Sequence, residues 1–118
     1  MSRLFMLTLL CVLLFASCED YAKVVVEEAT INSLGETIKV TPVESNCEIE
    51  LQIIGLSDEW AQVQTAGATL RISASKNELP DTREMDIKYY YIATNTASNS
   101  NITGRGSLHL IQEGKKAD

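Results

Sequence analysis

The sequence predicts an all-β fold, an immunoglobulin-like antiparallel β-sandwich of about seven strands. From residue 23 onward, apolar and polar residues alternate with a period of two, as expected of strands that bury one face. Turn-forming residues recur about every ten positions, and no segment has the three-to-four residue apolar spacing of an amphipathic helix. Short alternating strands separated by frequent turns are typical of two antiparallel sheets packed face to face.

The first two strands are predicted at residues 24–31 and 37–41. The first segment is rich in β-branched residues, which favour extended backbone. In the second, Ile38 and Val40 alternate with polar residues. Pro42 favours the end of this strand because it cannot donate a hydrogen bond to the ladder.

The third strand is predicted at residues 47–54, with Glu48 and Glu50 facing water. The side chains expected to face inward are Ile49, Leu51 and Ile53. Cys47 is in phase with this apolar set, so we expect it to be a small buried side chain.

The fourth and fifth strands are predicted at residues 60–64 and 70–74, followed by a polar loop at residues 75–82. Trp60 could stack on a sugar, but a single tryptophan entering a strand of a small sandwich is expected in the core.

The sixth strand is predicted at residues 85–92 and the seventh at residues 107–112. The inward side chains of these strands are expected to be Met85, Ile87, Tyr89, Tyr91, Leu108 and Leu110. This phase leaves Tyr90 outside. Residues 94–106 are rich in Asn, Ser, Thr and Gly, and we expect them to form a loop.

Residues 1–17 have the features of a signal peptide: one basic residue, Arg3, and then an apolar run that is too short to span a bilayer. The run ends in Leu14-Phe15-Ala16-Ser17-Cys18, which resembles a bacterial lipobox. The resemblance implies cleavage before Cys18 and lipidation of its thiol, and two or more acyl chains would hold the protein stably. The alternative is an ordinary signal peptide cleaved near Ala16. The predicted division is signal peptide 1–17, lipidated cysteine and tether 18–22, folded domain 23–114 and charged tail 115–118.

The charge of the predicted mature chain argues against two kinds of partner, nucleic acid and anionic lipid. Removing residues 1–17 takes Arg3 from the 10 basic residues and none of the 16 acidic ones, which leaves a net charge of −7. This balance argues against binding nucleic acid and against adsorption to anionic lipid, so we expect the anchor alone to contact the membrane. With Cys18 lipidated, Cys47 has no partner for an intramolecular disulfide.

No catalytic, metal or cofactor site is predicted. His109 is the single histidine, and no phosphate loop or nucleophile elbow occurs. Glu48 and Glu50 would lie about 7 Å apart, a spacing compatible with glycoside hydrolysis, but exposed acids on a strand commonly keep a sheet soluble. Asp58 and Glu59 could contribute to a weak calcium site or simply form a solvated turn.

The candidate ligand-binding residues are Tyr90, Asn95, Asn99 and Asn101. An exposed tyrosine ring can stack on the apolar face of a sugar, and loop amides can bond to its hydroxyl groups. The alternatives are a cross-strand pair for Tyr90 and a flexible surface loop for the asparagines.

The order of these signals resembles the BACON domain family (Bacteroidetes-associated carbohydrate-binding often N-terminal). The matching segments are 35–40, Trp60 with Val63, 70–72 with Asn77 and Arg83, and the terminal 111–114. The resemblance covers residues 23–114 and implies an immunoglobulin-like sandwich on bacterial envelope proteins that carries no catalytic residues. Residues 94–106 are longer than the corresponding hairpin of the family.

Two functions are therefore expected for a non-enzymatic lipoprotein of the outer membrane. The first is a surface module that binds mucin or polysaccharide or mediates adhesion. The second is a structural accessory protein that docks onto another envelope protein. Glu19 and Asp20, directly behind the anchor, resemble the acidic signal for display on the cell surface, and the periplasmic leaflet is the alternative.

Overall fold

The computed structural model describes residues 19–116, so the predicted signal peptide and the lipidation of Cys18 lie outside the described residues. The described part forms nine strands. They are β1 (Ala22–Val24), β2 (Glu28–Ile31), β3 (Glu36–Val40), β4 (Val43–Ser45), β5 (Glu48–Leu56), β6 (Ala61–Ala66), β7 (Thr69–Ala74), β8 (Arg83–Asn95) and β9 (Ser100–Gln112). Within this part of the chain, no helix is long and apolar enough to cross a bilayer.

The strands form two main sheets that pack as a β-sandwich, which confirms the predicted fold class. One sheet has the order β2-β9-β8-β5 and the other β3-β7-β6, while β1 and β4 form a separate two-stranded ladder. All strand pairs are antiparallel except β2 with β9, which is parallel.

The hydrophobic core lies between the two main sheets. Its buried side chains are Ile31, Val43, Ile49, Leu51, Ala61, Leu70, Ile72, Met85, Ile87, Tyr89, Ala93, Leu108 and Leu110. The alternation therefore predicted the inward face of β5, β8 and the second half of β9. Ile53 and Tyr91 are half-buried at the margin of this core.

The predicted strand at residues 24–31 is in fact two strands in different sheets. After β1 the chain leaves the β4 ladder, and the amides of Val25 and Val26 both donate to the carbonyl of Pro42, at 2.8 and 3.4 Å. The chain then joins β9 as β2. A continuous run of β-branched residues contains no local signal for this change of partner.

The predicted loop at residues 94–106 is wrong, because most of it belongs to strands. β8 and β9 pair without interruption from Arg83 opposite Gln112 to Asn95 opposite Ser100, leaving a turn at residues 96–99. Gly104 and Gly106 lie opposite Tyr91 and Tyr89, and a Cβ atom at either glycine would overlap the facing tyrosine ring. The rings therefore cover the glycines and compensate for their low strand propensity.

Trp60 is not a core residue, contrary to expectation. It is half-buried at the edge of the core, and its indole N–H donates to the carbonyl of Glu84 at 3.3 Å. The guanidinium of Arg83 lies 4.8 Å from the ring centroid. Cys47 is likewise half-buried against the core.

The end of the sandwich opposite the β8–β9 turn consists of the loops after β2 and β7 and the end of β9, and we call it the distal end. Two buried amide side chains, those of Gln112 and Asn77, hold these segments together. Gln112 donates to the carbonyls of Asn32 and Ser75, at 3.1 and 2.8 Å, and accepts from Arg83 at 2.7 Å. The Asn77 side chain donates to the carbonyls of Asp81 and Glu113, at 2.9 and 3.2 Å, and accepts the amide of Leu79 at 3.1 Å. These bonds fix the loops after β2 and β7 against the end of β9.

Candidate functional site

The solvent-facing side of β5, β8 and β9 is the broad surface that carries the predicted ligand residue Tyr90. We call this surface the outer face. It comprises Glu48, Glu50, Gln52, Glu84, Asp86, Lys88, Tyr90, Ile92, Thr94, Asn101, Thr103, Arg105, Ser107 and His109, which share one phase of the strand registers.

Tyr90 lies in the centre of the outer face, between two long polar side chains. In the strand register its direct neighbours are Gln52 on β5 and Arg105 on β9. Directly opposed residues have Cβ atoms about 5 Å apart, so an amide and a guanidinium flank the half-buried ring. An aromatic surface between hydrogen-bonding groups of both kinds can hold a sugar ring through its apolar face and its hydroxyls.

A shallow cleft adjoins the outer face directly. That cleft, of about 550 Å³, runs from Glu50, Gln52 and Ile92 around the free edge of β5 to Val63 on β6. The outer face therefore continues into a concave surface lined by acidic, amide and aliphatic groups.

Asn95 and Asn99 do not line the outer face, because both build the β8–β9 turn. The Asn95 carboxamide oxygen accepts from the amides of Ala97 and Ser98, at 3.0 and 3.3 Å, and its nitrogen donates to Asp20 at 2.8 Å. Asn99 has a φ of 56°, a conformation that asparagine tolerates better than most residues. The side chain of Asn95 and the backbone of Asn99 therefore shape the turn.

Asn101 is the one candidate asparagine that shares a face with Tyr90. It is exposed and lies opposite Thr94 on β8, four residues along the strand from Tyr90. At the rise of a strand this separation is about 13 Å. The two side chains could contact neighbouring units of a chain-like ligand but not a single sugar ring.

His109 forms a charged cluster at the other end of the outer face. Its Nδ1 lies 2.8 Å from Asp86 Oδ1 and its Nε2 lies 3.1 Å from Glu84 Oε1. The hydrogen bonds to Asp86 and then to Glu84 raise the pKa of His109 above its ordinary value of 6.5. The cluster therefore favours the protonated form of the imidazole between two carboxylates and joins β8 to β9.

The acidic pairs weighed in the sequence lie at the surface, and Glu48 and Glu50 line a shallow cleft of about 360 Å³ with Gly67 and Thr94. Glu48 and Glu50 are exposed, and Asp58 accepts the amide of Glu59 at 2.7 Å, as in a solvated turn. Across residues 19–116, no group of three His, Cys, Asp or Glu side chains has a geometry that could hold a metal ion.

Two residues of the outer face were missed from the sequence, Gln52 and Arg105. Arg105 belongs to the segment 94–106 that the sequence predicts as a loop, so its alternation with Thr103 and Ser107 did not indicate a strand. Gln52 has the same phase as the water-facing Glu48 and Glu50, but only the register shows that it lies beside Tyr90.

The sequence matches no family model, and no curated protein sequence matches it. Among solved structures, the chain is similar to a Bacteroides ovatus GH5 xyloglucanase in complex with a XXXG heptasaccharide. The TM-score is 0.53 at 10% sequence identity, and the match covers 83% of this chain and 20% of the xyloglucanase chain. It is also similar to a protein from Bacteroides thetaiotaomicron solved by NMR, with a TM-score of 0.48, 11% identity, and coverage of 85% of this chain and 86% of that one.

The chain thus spans one fifth of the length of the xyloglucanase chain. At 10% identity the likeness is one of fold, and it carries over neither an activity nor a ligand.

Proposed function

We propose that this protein is a non-enzymatic lipoprotein of the bacterial outer membrane whose sandwich binds carbohydrate through the outer face. The observation that carries the proposal is the position of Tyr90, which faces outward between Gln52 and Arg105. The adjoining cleft beside Glu50 and Ile92 offers room for further sugar units. The resemblance of the sequence to BACON domains supports carbohydrate binding. The resemblance of residues 14–18 to a lipobox supports a lipid anchor in the outer membrane.

The ligand class proposed is an extended glycan, such as a mucin O-glycan or a plant polysaccharide, that lies along β8. Tyr90 would stack on one sugar while Gln52 and Arg105 bond to its hydroxyls, and Asn101 would reach the next units. The acidic residues Glu19 and Asp20 support display on the cell surface.

The substitution Tyr90→Ala tests this function. Removal of the ring should weaken glycan binding by about tenfold or more, equivalent to about 1.4 kcal/mol, because the stacking surface is lost. Isothermal titration with mucin O-glycans and plant polysaccharides provides the measurement. The fold should survive, because the position faces solvent.

Tyr21→Ala is the matched control, because Tyr21 is 42% exposed and lies outside the outer face. It should bind like the unsubstituted protein. Absence of binding by the unsubstituted protein at millimolar ligand, or an equal loss in both variants, would contradict the proposal.

The second candidate function is a structural accessory role, in which the protein docks onto another envelope protein. It is favoured by the distal end, where Leu34 and Leu79 are 73% and 66% exposed. Leu34 lines a cleft of about 430 Å³, and the Leu79 carbonyl accepts the amide of Lys115, which lines the same cleft. A pull-down from solubilised outer membrane separates the functions, since only docking requires a stoichiometric protein partner.

A further inference from the structure

The residues that follow Cys18 are bound directly to the sandwich. Both carboxylate oxygens of Asp20 accept hydrogen bonds, from Asn95 at 2.8 Å and from Ser100 at 3.2 Å. These two donors flank the β8–β9 turn. Asp20, in the segment predicted to be a tether, is therefore bound at the tip of the β8–β9 hairpin.

The neighbours of Asp20 are held in the same place. The Glu19 carbonyl accepts from the Asn46 side chain at 2.9 Å, and the Tyr21 amide donates to the Asn46 carboxamide oxygen at 3.0 Å. Three consecutive residues, 19 to 21, thus each make a hydrogen bond to the end of the sandwich that carries the turn.

Chain geometry then limits how far this end can be from a lipid on Cys18. Two peptide units separate the Cα atoms of residues 18 and 20, which allows at most about 7 Å. The distal end lies at the opposite end of β8 from the turn. Because β8 has 13 residues, the two ends are about 40 Å apart along the extended strand. A lipid at Cys18 would lie close to the turn and far from the distal end.

We propose that the β8–β9 turn, residues 96–99, faces the lipid surface and that the distal end points away from it. This orientation rests on the lipidation of Cys18 proposed above. It leaves two surfaces for partners: the outer face at the side, and the distal cleft between Leu34 and Lys115 at the top.

Fluorescence quenching of the lipidated protein tests the orientation. In a Cys47→Ala background, Ala97→Cys or Glu78→Cys provides one free thiol for a fluorophore, at the turn or at the distal end; both positions are exposed. The proteins are placed in liposomes whose lipids carry a contact quencher on the headgroup. The label at position 97 should lose most of its emission and the label at position 78 none.

The triple substitution Asn46→Ala, Asn95→Ala and Ser100→Ala removes the side chains that bind Glu19, Asp20 and the Tyr21 amide, and it leaves residues 18–20 unchanged. It should restore much of the emission at position 97, and Asn101→Ala, on the solvent side of β9, should not. Equal quenching at positions 97 and 78, or quenching at 97 that the triple substitution leaves unchanged, overturns the proposed orientation.

The mass of each purified protein is measured first. A protein without a diacylglycerol on Cys18 refutes the anchor, whereas a lipidated protein without selective quenching at position 97 refutes only the orientation.

Discussion

Tyr89 is completely buried, and its hydroxyl has no hydrogen-bond partner among residues 19–116. Burial is the main cause that raises its pKa from 10.0 to about 12, with smaller contributions from Tyr91 and Glu27. A buried hydroxyl that lacks a partner has lost its hydration without compensation. The Tyr89 hydroxyl therefore lowers the free energy of unfolding.

The substitution Tyr89→Phe should remove that cost. We expect the free energy of unfolding at neutral pH to stay equal or to rise by about 1 kcal/mol, measured by urea denaturation. Because the pKa is higher in the folded state, the unsubstituted protein should lose stability as the pH rises above 10, and Tyr89→Phe should lose less. A clear loss of stability at neutral pH would show that the hydroxyl has a stabilising partner.

His109 should make stability depend on pH near neutrality. Its pKa is raised in the folded state by Asp86 and Glu84, and Glu28 of β2 lies directly opposite in the register. A raised pKa means that the folded state favours the protonated form. The stabilisation is therefore complete below pH 6.5 and is lost as the pH rises through the higher folded-state pKa.

Comparison with His109→Gln isolates this contribution. The unfolding free energy of the unsubstituted protein should fall relative to that of the variant as the pH rises above 6.5. Lys88→Gln is the control, because Lys88 is an exposed charge on the same face of β8 and should leave this pH dependence in place. A constant difference between the two proteins across the range would contradict the prediction.

In the β8–β9 hairpin, the rings of Tyr89 and Tyr91 occupy the space that a side chain at Gly106 or Gly104 would need. Gly106→Ala should destabilise the protein by about 1 to 3 kcal/mol, because a Cβ atom there would overlap the ring of the immobile, buried Tyr89. Gly104→Ala should cost less, because Tyr91 is half-buried and has more freedom to move. Thermal or urea unfolding provides the measurement.

Gly55→Ala in β5 is the matched control for this prediction. A Cβ atom at Gly55 has nothing within 4 Å, so the substitution should be neutral or slightly stabilising. Equal losses at positions 55 and 106 would mean that strand glycines, rather than the overlap with tyrosine, determine the effect.

The elements that could be predicted from sequence are those whose signal is local. Alternation alone places Ile49 and Leu51 of β5 in the core, because one residue in two must face it. The first half of β9 could not be predicted, because residues across the hairpin stabilise it. The same holds for the bond between Asp20 and Asn95, which joins residues 75 positions apart.

At the scale of the whole molecule, the sandwich has two different ends. The hairpin turn holds the residues that follow Cys18, and the distal end presents Leu34 and a cleft lined by Lys76 and Lys115. The outer face with Tyr90 lies along the side between them. Of this arrangement the sequence predicted the outward position of Tyr90, while the contact of the residues after Cys18 with the β8–β9 turn required the fold.

The anchor itself should be separable from the fold. Cys18→Ser removes the thiol that would carry lipid, and residues 19–116 form the whole sandwich without it. We therefore expect the variant to move from the membrane fraction to the soluble fraction while its thermal unfolding stays unchanged. Cys47→Ser is the matched control: its half-buried thiol lies at the edge of the core, so it should cost some stability and leave the protein in the membrane fraction. Retention of the Cys18→Ser protein in the membrane fraction would refute the lipid anchor and leave the outer face as a binding surface to be tested independently.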